Sequence, residues 1–171
     1  PLASMGSRLG ARIVDWLLMT VITTPLVIGP LRRIWDYFVP LFEEMDRQAR
    51  AGKQPVQPSP TEMAAAIQGP ALQVALVILA VGLLYETLFL LFKGATPGKL
   101  LLGIGVRLRE RPGRLPLGSV LLRQVIWAAG NIPALSIFAL AGLLDALWPL
   151  WDDKRQALHD KLAKTQVVRT R

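Results

Sequence analysis

Apolar positions in this chain fall in long blocks. The first runs from Leu9 to Gly29 and is broken by Arg12 and Asp15; the second, Ala71 to Phe92, carries the single charge Glu86; the third, Leu117 to Trp151, is interrupted at Gly130-Asn131-Ile132-Pro133. At about 1.5 Å rise per residue the second block is about 33 Å long as a helix, enough to cross a hydrocarbon core of about 30 Å. Leu117 to Ala129 gives only about 20 Å, so the third block is expected to hold two helices, the first of them short or tilted. A single long span and a re-entrant helix are the alternatives. The pattern predicts an all-α, polytopic integral membrane bundle in one domain over 1–171, with helices at about 9–29, 60–92 with a kink near 70, 117–130 and 133–151.

Composition agrees with that class: 52% of the 171 residues are hydrophobic and the mean hydropathy is +0.39, more apolar surface than one small soluble core can use. The absence of cysteine excludes disulfides, thiolate metal sites and a cysteine nucleophile. Arg12 and Asp15 intrude on the first block and no small-x-small site follows it, so a cleaved signal peptide is not expected. Residues before Met5 are given little weight.

The net charge of +8 raises the question of nucleic acid, and the distribution of charges answers it. The segment 31–69 is balanced, with Arg32, Arg33, Arg47, Arg50 and Lys53 against Asp36, Glu43, Glu44, Asp46 and Glu62. The connector 93–116 is strongly basic, with Arg107, Arg109 and Arg114 among its charges, and the tail 152–171 is basic as well. Excess Lys and Arg mark cytoplasmic loops, so connector, tail and both termini are expected inside and the segment 31–69 outside. The basicity is topogenic and no nucleic-acid partner is expected. In the outer segment, "RRIWDYFVPLFEEM" reads as an interfacial piece, "AGKQPVQPSP" as a loop, and Ser59-Pro60-Thr61-Glu62 as a capping box that starts a helix.

Charges inside apolar blocks are costly. An aspartate near the centre of a membrane helix costs about 2.5–3.5 kcal/mol, so it should face protein or water and take a cationic partner. Arg8, Arg12 and Asp15 lie at i, i+4 and i+7 on one helical face, and Arg12 is the expected partner of Asp15. Glu86, Arg123 and Asp145 fall at similar depth, so Arg12, Asp15, Glu86, Arg123 and Asp145 are candidates for one intramembrane layer around a polar pocket. Such a layer either fixes helix register as salt bridges or serves as a cation or proton site.

Other chemistry is poorly represented. "GATPGKLLLG" has the wrong glycine spacing for a P-loop and no Ser or Thr after Lys99; it is expected to be a tight turn in which Pro97-Gly98 ends the second span, followed by an amphipathic "KLLLGIGVRL" along the inner surface. His159 stands without a metal partner at helical spacing and is expected to be solvated or capping. Asp160 lies outside any apolar run, so its ionisation is expected to cost little, and it is expected to play a structural role at the inner surface, capping helix N–H groups or pairing with an arginine such as Arg8. No Ser-His-Asp set, HExxH or dinucleotide fingerprint occurs, and neither an enzyme nor a metal or cofactor is expected.

Three stretches, taken in order, resemble the RDD family of prokaryotic membrane proteins. "SRLGARIVDWLL" is similar to its opening helix, with Arg8 and Asp15; "TPGKLLLGIGV" to its Thr-x-Gly-Lys stretch, with Thr96, Gly98, Lys99 and Val106; and "RQALHDKLAKTQVV" to its C-terminal signature, with Arg155, His159, Asp160, Lys161, Thr165 and Val168. The resemblance implies a prokaryotic plasma-membrane protein suspected of moving small ligands, in a family with members linked to sodium/proton exchange. The reading taken forward is a multispanning protein that binds or transports a cation or small solute, as an oligomer. The alternative is a non-transporting accessory subunit that docks through Ala71, Ala75, Gly82 and Gly142.

Overall fold

The structure is a computed structural model that describes residues 1–110, 113–130 and 139–170. It is predominantly helical. In chain order the elements are α1 (Met5–Arg50), α2 (Pro60–Lys93), α3 (Pro97–Leu101), β1 (Ile104–Leu108), α4 (Leu117–Gly130), α5 (Ala139–Leu147) with a 3₁₀ turn at Trp148–Leu150, α6 (Leu158–Leu162) and β2 (Thr165–Arg169).

Two of these helices, α1 and α2, are long and apolar enough to cross a membrane. Only 6% and 11% of their most apolar stretches are buried inside the protein, the opposite of a core helix in a soluble protein. Trp16, Val21, Leu84 and Phe92 are each more than half exposed, which suits a lipid surround and would be costly in water.

The chain forms two compact units, one of Thr23–Val77 and the other of Pro1–Ile22 with Ile78–Arg171. In the first, α1 continues without a break to Arg50, where a separate interfacial piece beginning at Leu31 was expected. The helix passes Pro25, Pro30 and Pro40 and is reinforced beyond them by pairs one turn apart, Arg32–Asp36, Glu44–Arg47 and Asp46–Arg50. Its end is marked by Gly52 at φ 71°. α2 starts on the capping box: Ser59 donates its N–H and hydroxyl to Glu62, each at 2.8 Å, and Glu62 N–H returns to Ser59 Oγ at 3.2 Å.

The second unit carries a feature the sequence reading did not anticipate, an antiparallel pair of β1 and β2 with Val106 opposite Val167 and Leu108 opposite Thr165. β1 replaces most of the expected amphipathic inner-surface segment; only Pro97–Leu101 is helical. The N-terminal residues, given little weight above, join this sheet. Ala3 N–H donates to Val167 O at 3.0 Å, and Ala3 is fully buried. Ala3, Ala11, Leu90, Ile104, Val106, Leu115, Val120 and Val167 make one apolar core that fixes the ends of α1, α2 and α4 against the sheet. Nothing is described of 131–138, where the expected break between the third and fourth helices falls.

Candidate functional site

Four elements deliver charged side chains to this unit. α1 brings Arg8, Arg12 and Asp15, α4 brings Arg123, α5 brings Asp145, and α6 brings His159 and Asp160.

At its centre Asp160, fully buried, accepts from Arg123, which is itself 2% exposed, and from Arg8 at 3.4 Å. Arg123 also donates to Thr165 Oγ1 at 2.6 Å. Ala157 N–H at the start of α6 reaches the same carboxylate at 3.2 Å. Burial pushes the Asp160 carboxyl up, but Arg123, His159 and Arg8 outweigh it and hold the group well below the ordinary carboxylate range. The expected pairing with Arg8 and the expected capping of helix N–H groups are both present, but the carboxylate is buried, so its ionisation is not the cheap one expected: the tail folds back and the aspartate becomes the counter-ion of two guanidiniums.

His159 is likewise neither solvated nor a simple cap. Its Nδ1 lies 2.6 Å from Asp145 Oδ2, its backbone N–H donates to Asp145 Oδ1 at 2.8 Å, and its Nε2 lies 3.0 Å from Arg123 Nη2. A guanidinium can only donate and a carboxylate only accept, so the neutral imidazole with its proton on Nδ1 satisfies both neighbours. Asp145 in turn pairs with Arg12 at 3.1 Å. The result is a continuous chain of contacts, Arg8–Asp160–Arg123–His159–Asp145–Arg12.

Asp15 does not belong to that chain, and its expected pairing with Arg12 is corrected. Its carboxylate accepts from Tyr85 hydroxyl at 2.8 Å, Thr96 hydroxyl at 2.5 Å and Gly98 N–H at 2.8 Å, and makes no ion pair among the described residues. Three uncharged donors stand where a cation was expected. This accounts for the Thr-x-Gly-Lys stretch: Thr96 and Gly98 hold Asp15, and a Cβ on Gly98 would collide with Ala11 O and the Asp15 carboxyl. Pro97-Gly98 does not end α2 but opens α3; α2 ends four residues earlier at Lys93, with Gly94 at φ 67°. Lys99, on α3, is 4.0 Å from Glu86. Burial lowers the Lys99 ammonium below the ordinary lysine range, and Glu86 offsets only part of this.

The five charges expected in one layer thus divide. Arg12, Arg123 and Asp145 meet through His159, Glu86 pairs with Lys99 within electrostatic reach of Arg123 and His159, and Asp15 is held apart by uncharged donors. A cavity of about 520 Å³ lies elsewhere, between the mixed charges of Arg109, Asp153, Lys154 and Lys164, and none of the five lines it. Sequence reasoning missed Tyr85 and the role of His159, named Thr165 without its partner Arg123, and gave Asp160 its Arg8 partner but not Arg123. The spacing His159-Asp160 beside Thr165 was visible, but not the return of the tail onto α4.

Helical architecture, outward apolar faces and an internal charge network define an integral membrane protein of the all-α class. The family model of the RDD family matches residues 2–164, nearly the whole chain, and the chain belongs to that family. No match to it occurs among curated proteins or among solved structures.

Proposed function

We propose that this chain is a multispanning plasma-membrane protein, with both termini cytoplasmic, that exchanges a monovalent cation or small solute for a proton through the His159 network. The observation that carries the reading is the seating of His159 between Asp145 and Arg123. An imidazole can take up and pass on a proton, and here it links the buried Arg123–Asp160 pair to the half-exposed Arg12–Asp145 pair. A proton arriving on Nε2 must turn Arg123 away, because two donors cannot face each other there. Arg123 holds Asp160 and Thr165, so protonation loosens α4 from α6. Loss of that proton weakens the hold of the imidazole on Asp145 and frees the carboxylate for the cation, so that proton and cation occupy the site in turn.

So few spanning helices enclose little volume, so a homo-oligomer or a partner membrane subunit completes the path.

A second reading, the non-transporting accessory subunit, is favoured by a specific observation: Asp15, Asp145 and Asp160 already have protein donors or cations. Gly82, on the face assigned to docking, is buried within the chain, which leaves that face less free than the sequence suggested. The two readings separate in proteoliposomes, where the carrier acidifies or alkalinises the lumen when a cation gradient is imposed and the accessory subunit does not.

A further inference from the structure

A second, smaller cavity lies at the start of α1, apart from the contacts of His159. It has a volume of about 220 Å³ and is lined by Ala3, Met5, Arg8, Pro149, Leu150 and Arg155. Two guanidiniums and no acidic residue face it. Asp160, the carboxylate nearest to Arg8, is shared with Arg123, so one negative charge serves two arginines and the site keeps a surplus of positive charge.

Arg8 is held loosely. Its bonds to Asp160 and to Val167 O are 3.4 and 3.3 Å, at the weak end of the range. Its Nε is buried without a hydrogen-bond partner, an arrangement that costs about 1–3 kcal/mol unless something accepts from the group. Arg155 has an exposed side chain and no carboxylate partner among the described residues. The Arg155 charge also acts repulsively on Arg8. Its backbone sits at φ 49°, a left-handed conformation that non-glycine residues rarely adopt, and such strain persists where a side chain must be aimed. Two like charges brought together by a strained backbone call for an anion between them.

We propose that this cavity binds a phosphate group, with Arg8 and Arg155 as its two guanidinium ligands. Phosphate suits the pair because its oxygens accept from several N–H donors and its charge is matched by two arginines. The surroundings favour the phosphodiester of an anionic lipid. Leu150 and Trp151 are 57% and 70% exposed beside the cavity, and Met5 and Pro149 give it an apolar wall, which together fit the boundary between headgroups and acyl chains. The inference does not depend on whether the His159 network carries protons.

The test is calorimetric titration of the purified full-length chain in detergent with dioctanoyl phosphatidylglycerol, glycerol phosphate and dioctanoyl phosphatidylcholine. Saturable binding of the glycerol lipid, weakened about tenfold in Arg155→Gln and largely retained in Arg155→Lys, supports a lipid phosphate site. Equal binding of glycerol phosphate with the same dependence on Arg155 supports the site and assigns it to a soluble phosphate. Should Arg155→Gln fail to fold, displacement of the bound lipid from the unaltered chain by inorganic phosphate supports the proposal, and failure to displace it overturns it. The proposal is also overturned if neither anion saturates, if phosphatidylcholine binds equally well, or if folded Arg155→Gln binds like the unaltered chain.

Discussion

His159 and Asp145 are joined at three points: Nδ1 to both carboxylate oxygens, at 2.6 and 2.8 Å, and the backbone N–H to Oδ1 at 2.8 Å. The fourteen-residue separation of the two brings the end of the apolar region and the C-terminal signature to one place. A link made by both backbone and ring fixes the imidazole plane, so Nε2 can point only at Arg123. Replacing Asp145 with asparagine keeps the shape but offers one acceptor oxygen in place of two and leaves Arg12 without its counter-ion. We expect a loss of about 1–3 kcal/mol, read as a lower thermal unfolding midpoint in detergent, with Arg12→Gln partly restoring it.

Arg12 and Asp15 share a helical face but not a bond. In a double-mutant cycle, Arg12→Gln with Asp15→Asn should be close to additive, whereas Arg12→Gln with Asp145→Asn should show a coupling of about 0.5–3 kcal/mol. Unfolding free energies of the three single and two double variants, with the unaltered chain, check this. The reverse order of couplings would restore the local pair that spacing alone suggests.

Gly98→Ala places a methyl against Ala11 O and the Asp15 carboxyl, where the obstacle is in part backbone and cannot turn aside. A loss of about 1–3 kcal/mol is expected, together with loss of the Thr96 and Gly98 bonds to Asp15. Thr96→Ser, which keeps the hydroxyl, should cost much less. Membrane abundance and unfolding midpoints of the two variants measure the difference.

Much of this was legible in the sequence and some was not. The helical class, the capping box at Ser59 and the charged residues inside apolar blocks follow from local pattern, because hydropathy and capping act within a few turns. The partners of those charges do not. Arg12 meets Asp145 across more than a hundred residues, and although Arg8 could be named as a partner of Asp160, its burial against Arg123 could not until β2 pairs with β1 and carries it inward. The alternation in "TQVVR", with Thr165 and Val167 buried and Gln166 and Val168 less so, was the one sequence signal for that strand. It was hidden by its basic surroundings, as α1's continuation to Arg50 was hidden by its prolines.

Asp160 gives the structure a defined response to acid. A carboxyl held below its unfolded range contributes stability that is fully present above the unfolded pKa of about 3.9 and is lost as pH falls toward the folded value. Between about pH 5 and 8 the Asp160 carboxyl itself stays ionised, so its own titration costs no stability there, and below about pH 4 its contribution should decline. Asp160→Asn should be less stable by about 3–5 kcal/mol at neutral pH, since it strands Arg123 and Arg8, and should lose little more on acidification. Thermal unfolding of both forms across this range tests the assignment.

The orientation of the chain follows from its charges. Reporters fused after Lys53 should register outside, and those after Arg114 or at the C-terminus inside. A cytoplasmic signal at Lys53 would remove the four-span arrangement on which the exchange reading depends.

The most direct test of the account is proton flux in liposomes containing the purified chain, followed with a trapped pH-sensitive dye while a sodium or potassium gradient is imposed. The account predicts cation-driven proton movement that falls at least about tenfold in His159→Gln, with the unaltered protein and Lys53→Gln, which lies outside the network, reconstituted at equal abundance as controls. Absence of cation-driven flux from the unaltered chain, or undiminished flux in His159→Gln, would contradict it and leave the network as a structural lock on helix register.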